Sequence, residues 1–327
     1  MSDIPKKVHI FEEGPREGFQ IEKGPIPTER KVELIDALSE TGVEHIQIVS
    51  FVNPKRVPGM ADAEQVVNSI KRKPGVDYEG LWLNEHGLER ALAVGWLKYE
   101  AKIAMFPSEA FLKLNQGRTV AEHLADTHRI INTYKRMGVP ITYGGISSAF
   151  GCNYQGDVST EKVVELIDQI MDIAAEHELK LEYFCLADTM AWGTPAAVKR
   201  TVGAIRDKYP DMGMAIHLHD TRGMGIANAY AALEMGVTMF DSCVAGLGGC
   251  PFAGHKGAAG NVCTEDLVFM CHEMGIETGI DLDKLIECAR LAEDIVGHPL
   301  PGSVKTGGNL ASLRAAAAGA AAPNLGP

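Results

Sequence analysis

Short runs rich in β-branched and aromatic residues alternate with longer amphipathic stretches along almost the whole chain. Val8–Glu13, His45–Phe51, Leu81–Leu83, Lys102–Phe106, Ile141–Phe150, Lys180–Asp188, Met214–Asp220 and Met239–Ala245 are predicted as eight strands. Between and after them, Thr28–Thr41, Asp62–Arg72, His86–Gly95, Val120–Met137, Thr160–Glu178, Thr194–Lys208 and Gly225–Met235 carry helical periodicity. Capping residues such as Thr28 open several of these stretches, and Gly42, Gly95, Gly138 and Gly236 close others. Regular β-α alternation implies parallel strands joined by crossover helices. Eight such units predict an α/β fold of the closed (β/α)₈ TIM-barrel type, ahead of an open doubly wound sheet. Two further helices, near Thr264–Glu273 and Asp281–Val296, extend the barrel to about residue 300. A Gly/Ala-rich tail, 301–327, follows, with Leu310–Ala322 rich enough in alanine to form a helix.

Barrel sites form where strands end, so polar residues at those ends become candidates. Arg16-Glu17, Asn53 to Arg56, Asn84, Ser108-Glu109 and Asp188-Thr189 all follow strands, and His217, His219 and Asp220 close the seventh. His217 and His219, separated by Leu218, point to one side of an extended segment and offer two adjacent imidazoles to a divalent ion. By itself the pair is equally compatible with two satisfied strand histidines. Glu17 lies in a glycine-bracketed segment, Gly14-Pro-Arg-Glu-Gly18, which is expected to turn tightly and aim Arg16 and Glu17 at the centre. Such a carboxylate is a natural oxygen ligand beside the two histidines, and Arg16 is suited to a developing oxyanion. From Val244 to Asn261 six glycines surround Cys250, the composition of a lid that closes over substrate, and the amide oxygen of Asn261 suits a hard cation.

Composition narrows the classes. A net charge of −12 without clustered Lys and Arg argues against a nucleic-acid partner. No apolar run approaches the ~18 residues of a membrane span. The glycine-rich segments lack the endings of nucleotide-binding loops. Seven cysteines, an odd number without zinc-type spacing, fit a reducing compartment. With no signal or transit pattern, the cytoplasm is expected.

Six phrases carry a resemblance: Glu13-Gly-Pro-Arg-Glu-Gly-Phe-Gln20, Ser50-Phe-Val-Asn-Pro-Lys-Arg-Val-Pro58, Ala187-Asp-Thr189, His217-Leu-His-Asp-Thr221, Val244-Ala-Gly-Leu-Gly-Gly-Cys-Pro251, and Gly260-Asn261 through Thr264-Glu-Asp-Leu267. Together they resemble the 3-hydroxy-3-methylglutaryl-CoA lyase family, in order from about Val8 to Val296. The Cys250 phrase separates these lyases from α-isopropylmalate and homocitrate synthases, whose loop carries a Glu-Arg pair. The resemblance implies Glu17, His217, His219 and Asn261 as ligands of Mg²⁺ or Mn²⁺, and Arg16, Asp188, His219 and Cys250 as catalytic residues. Gln20, Gln47, Asn84, Gly145 and Glu265 are then expected near the substrate. It also implies retro-Claisen cleavage of an acyl-CoA to acetyl-CoA and a keto acid, in a homo-oligomer. The chain departs from that pattern at Glu17 (Asp expected), Gln47 (Glu expected) and Gly145 (Tyr expected). Its Cys250 loop is also longer, and includes His255 and Lys256. These departures point to an altered substrate with a roomier pocket. A Claisen synthase or aldolase acting on an α-keto acid and a catalytically silent metabolite-binding barrel are the alternatives.

Overall fold

The computed structural model describes residues 4–24, 26–249 and 260–319 of the 327. Strands β1 (His9–Glu12), β2 (His45–Ser50), β3 (Asp77–Leu81), β4 (Ala101–Met105), β5 (Ile141–Ile146), β8 (Tyr183–Asp188), β9 (Gly213–Leu218) and β10 (Met239–Ser242) form one sheet. Its order is β3-β2-β1-β10-β9-β8-β5-β4, and every pairing is parallel. Among the described residues the outer edges meet through a parallel bridge from Glu79 of β3 to Lys98, just ahead of β4, with Lys98 N–H donating to Tyr78 O at 2.9 Å. This is the expected TIM barrel, with its seam between β3 and β4. The small β6 (Gly151–Cys152) and β7 (Gly156–Asp157) make a separate antiparallel pair above β5.

Helices wrap the sheet: α1 (Gly14–Ile21), α2 (Thr28–Ser39), α3 (Ala63–Ser69), α4 (Glu85–Val94), α5 (Glu109–Gln116), α6 (Val120–Met137), α7 (Thr160–Glu176), α8 (Pro195–Lys208) and α9 (Gly225–Glu234). Helix α7 shows why they dock. Val163, Leu166, Ile167, Ile170 and Ile173 fall on one stripe and are buried, each such side chain contributing roughly 1.5–3 kcal/mol. Gly144 lets the stripe approach, since a Cβ there would lie 2.7 Å from Ile170 Cγ2. After β10 come α10 (Thr264–Glu273), α11 (Leu282–Val296), α12 (Val304–Gly307) and α13 (Leu310–Ala317). Packing continues past residue 300: Val304 is buried and Lys305 pairs with Glu293.

Two expectations are corrected, and one helix was not foreseen. The third strand is Asp77–Leu81 rather than Leu81–Leu83, and Leu83 is exposed. The Gly14–Gly18 segment is the first turns of helix α1, and no loop. Helix α5 had no predicted counterpart.

The shift of β3 has a physical origin. Outward-facing strand positions are buried against helices, whereas inward positions are half-buried and largely polar: Gln47, Glu79, Tyr143, Tyr183, Cys185, His217 and Asp241. TIM barrels usually fill their interior with layers of branched apolar side chains. Here the bore is lined largely by polar side chains, so a strand such as Asp-Tyr-Glu-Gly-Leu has no hydrophobic run to announce it.

Candidate metal centre and acyl site

At the C-terminal face of the strands, β1 leads directly into α1. Glu12 makes that junction. Its buried carboxylate accepts Gly14 N–H at 2.7 Å, Val244 N–H at 2.9 Å and the Thr264 hydroxyl at 2.6 Å, tying β1 to the segment after β10. Burial lifts it to about 7, against the lowering effect of those donors. The helix then presents Arg16 and Glu17. Arg16 donates to Glu13 Oε2 and to Glu17 Oε1, each at 2.8 Å, and through Nε to Gln47 Oε1.

Three ligand types converge beside it. His217 Nε2 and His219 Nε2 are 3.0 Å apart, and the ligand atoms of Glu17, His217 and His219 all lie within 4.8 Å of one another. Two imidazole nitrogens that close cannot both carry protons, so a cation between them is the arrangement this geometry suits. Asn261 is brought alongside by an antiparallel bridge to His219. It donates through Nδ2 to Glu17 Oε2 at 2.5 Å and to Leu247 O at 3.1 Å, leaving its buried Oδ1 without a hydrogen-bond partner. An orphaned buried amide oxygen at the edge of a carboxylate and two histidines fits a divalent ion. His217 is oriented from behind, with Nδ1 3.2 Å from Asp241 Oδ2 and 3.6 Å from Glu13 Oε2. This fixes the proton on Nδ1 and turns the Nε2 lone pair to the site.

The charges follow. Burial opposes ionisation of Glu17, but Arg16, both histidines and Asn261 hold its carboxyl well below the usual range. Burial also works against a charge on His217, yet Asp241, Glu17 and Glu13 raise it to about 9. Burial and the neighbouring His217 push His219 down to about 3.

Two glycines close the neck of the Cys250 loop. At Gly248, with φ +85°, a Cβ would meet Glu17 Cβ at 2.7 Å; at Gly260 it would strike Gly248 O at 1.8 Å. Cys250 itself, with His255 and Lys256, lies outside the described residues.

The remaining candidates are distributed unevenly. Gln47 meets Arg16, and Gln20 accepts from the Ser50 hydroxyl at 3.0 Å, both at the edge of the face. Gly145 faces the bore, but the room beside it is partly taken by Lys102, whose Cδ would be 3.2 Å from an added Cβ. Asn84 is exposed and caps α4, accepting Gly87 N–H at 2.9 Å. Asp188 is fully buried, accepting Trp192 N–H at 2.8 Å and Gly193 N–H at 3.0 Å, with burial lifting it to about 6. It braces the turn after β8. Glu265 is buried as well and accepts Ala245 N–H at 2.9 Å, supporting a residue at φ +57° two positions before Leu247.

Burial lifts Glu265 from an ordinary 4.5 to about 8. The folded chain therefore keeps this proton where the unfolded chain loses it, and stability falls as pH rises from about 4.5 to about 8. Glu265→Gln should remove that loss. Thermal melts are expected to show Tm raised relative to the parent at pH 8 but not at pH 5, and an equal difference at both would contradict it.

Sequence reading missed Glu12, Glu13 and Asp241. A signal existed for Asp241, which shares the inward face of the last strand with Met239.

Fold and face together define a TIM-barrel protein with a candidate metal site of one carboxylate and two imidazoles. A family model described as HMGL-like matches residues 7–292, and the chain belongs to that family. A cytoplasmic 3-hydroxy-3-methylglutaryl-CoA lyase of Rattus norvegicus is 40% identical over 289 residues, covering 88% of this chain and 80% of the rat protein. The crystal structure of the Bacillus subtilis HMG-CoA lyase superposes with a TM-score of 0.82 at 38% identity, covering 91% of this chain and 97% of the other. An Acinetobacter baumannii HMG-CoA lyase, solved with coenzyme A and 3-methylmalate, gives a TM-score of 0.81 at 35% identity over 93% and 96% of the two chains. Among the described residues no helix is long and apolar enough to cross a membrane.

Proposed function

We propose that this chain is a divalent-metal-dependent carbon–carbon lyase that opens a 3-hydroxyacyl-CoA of the 3-hydroxy-3-methylglutaryl kind into acetyl-CoA and a keto acid. The observation that carries this is the meeting of Glu17, His217 and His219 around one point beside the orphaned Asn261 Oδ1, in a chain of the HMGL-like family. A bound Mg²⁺ or Mn²⁺ would supply Lewis-acid stabilisation of negative charge on the substrate oxygens.

The residues around it have separable duties. Arg16 spends three of its N–H donors on Glu13, Glu17 and Gln47. A guanidinium has five, so two remain to meet the enolate oxygen that forms as the bond opens. Arg16 and Asn261 grip the two oxygens of Glu17 from opposite sides. Glu17 is one methylene longer than the Asp of the family pattern, and this double grip fixes where its carboxylate comes to rest. Asp241 sets the tautomer of His217. Asp188 and Glu265 act at one remove, bracing the turn after β8 and the approach to the Cys250 loop. In this reading the Cys250 thiol closes over the substrate and takes part in proton transfer to the enolate carbon. A cytoplasmic location belongs to the same proposal, supported by six described cysteines that are all free.

Mass spectrometry of products from 3-hydroxy-3-methylglutaryl-CoA tests this. With Mn²⁺ or Mg²⁺, acetyl-CoA and acetoacetate are expected. Chelation should stop their formation and added Mn²⁺ restore it. Turnover indifferent to chelator, or no acetyl-CoA with either ion, would overturn the reading.

A further inference from the structure

The polar bore holds one charge that the metal face does not use. Lys102 occupies an inward position of β4 between the core residues Ala101 and Ile103, yet it is exposed. Its stem climbs past Gly145, and its ammonium stands 5.7 Å from the ring centroid of Tyr143, which stacks on Tyr183 at 4.6 Å.

What sets Lys102 apart is the state of its neighbours. Glu13 has Arg16, Asp241 has His217, and Glu79 lies 3.7 Å from Lys98. Glu100 accepts hydroxyls from Thr142 and Tyr183. Glu79 Oε1 keeps no hydrogen bond, but each of these carboxylates has a cationic or hydroxyl partner within reach, whereas Lys102 makes no ion pair among the described residues and stands over the Tyr143 ring. An exposed ammonium without a counter-ion is a receiver for an anion.

Register places it below the metal face. His217 pairs with Ala187, Cys185 sits one inward position below, and Cys185 pairs through Gly145 to Ala104. Lys102 is one inward position below Ala104. A carboxylate one methylene from the reacting carbon stays at the face; one that reaches Lys102 needs a longer arm. Beside the bare backbone of Gly145 the Lys102 stem runs up toward that face, its Cδ 3.2 Å from where a Cβ would stand.

We propose that Lys102 determines substrate specificity by receiving a carboxylate at the far end of an acyl arm longer than that of 3-hydroxy-3-methylglutaryl-CoA. The inference rests on the lyase reading above. The chemistry is unchanged. The hydroxyl proton leaves, its oxygen becomes a ketone, the bond between the α and β carbons breaks, and its electron pair forms the acetyl-CoA enolate, which is protonated. Only the keto acid grows.

The test uses the full-length protein with Mn²⁺ and three probes: 3-hydroxy-3-methylglutaryl-CoA, 3-hydroxy-3-methyladipyl-CoA, and the adipyl thioester with its distal carboxylate replaced by the neutral amide. The wild type should prefer the adipyl acid to the amide. Lys102→Met should cut kcat/KM for the adipyl acid by about tenfold to a hundredfold, mainly through KM, and leave the amide unchanged. Lys102→Arg should recover part of the loss. Equal effects on acid and amide, or no effect on either, would overturn the role of Lys102 while the lyase reading stands. If the wild type cleaves none of the three, the lyase reading fails and this inference falls with it. Circular dichroism and metal content, expected unchanged in Lys102→Met, separate a specificity effect from a damaged fold.

Discussion

Replacing His219 by Ala is expected to lower kcat/KM by about 10³-fold and to strip the protein of divalent metal after dialysis, while the barrel stays folded. His219 contributes one of two nitrogens 3.0 Å apart, and its ring is buried with Nδ1 making no other hydrogen bond, so its polar work is directed at the site. Removing it leaves Glu17, His217 and Asn261, a set that grips a cation on one side only. Lewis-acid stabilisation worth several kcal/mol is lost with the ion, and each 1.4 kcal/mol is tenfold in rate. Metal content by elemental analysis and kcat/KM should fall together. A variant that keeps stoichiometric metal and near-normal turnover would show that the imidazole pair is structural.

The second large effect is on stability. Arg16→Met, measured without added metal, is expected to destabilise the fold by about 3–5 kcal/mol, because removing one partner from a buried ionic network strands the others. Arg16, Glu13 and Glu17 retain only 10%, 13% and 15% of side-chain exposure, so solvent cannot replace the guanidinium. Calorimetry should show Tm lowered by roughly 10 °C. Adding Glu13→Gln to Arg16→Met should recover part of the loss. An unchanged Tm in the single variant would mean that water or relaxation already shields the carboxylates.

The legible parts of this molecule are those written in local spacing. His217-Leu-His219 on a strand required only period-two geometry to place both rings on one side. The long helices, α6 and α11 among them, announced themselves through amphipathic periodicity and capping residues. What sequence reading lost depends on the polar bore. Asp77 and Glu79 are tolerated inside because Lys98 crosses the seam to meet them, a pairing between segments that no local pattern displays. Helix α1 was mistaken for a turn because its glycines read as loop-formers. Gly14 is required instead by contact, since a Cβ there would lie 2.6 Å from Glu12 Oε1. Asn84 and Asp188 stand at or near strand ends in the linear chain and Glu265 came from the family resemblance, yet their carboxylates and amide are engaged by backbone N–H groups. Position along a strand names candidates; only packing decides which of them open on the site.

The central claim is that one divalent ion sits among Glu17, His217, His219 and Asn261. A crystal structure of the protein grown with Mn²⁺, with anomalous scattering used to place the ion, tests it most directly. A single strong peak is expected about 2.0–2.3 Å from a Glu17 carboxylate oxygen, both histidine Nε2 atoms and Asn261 Oδ1. A peak elsewhere in the barrel, or an ion at this face that bypasses both histidines, would contradict it.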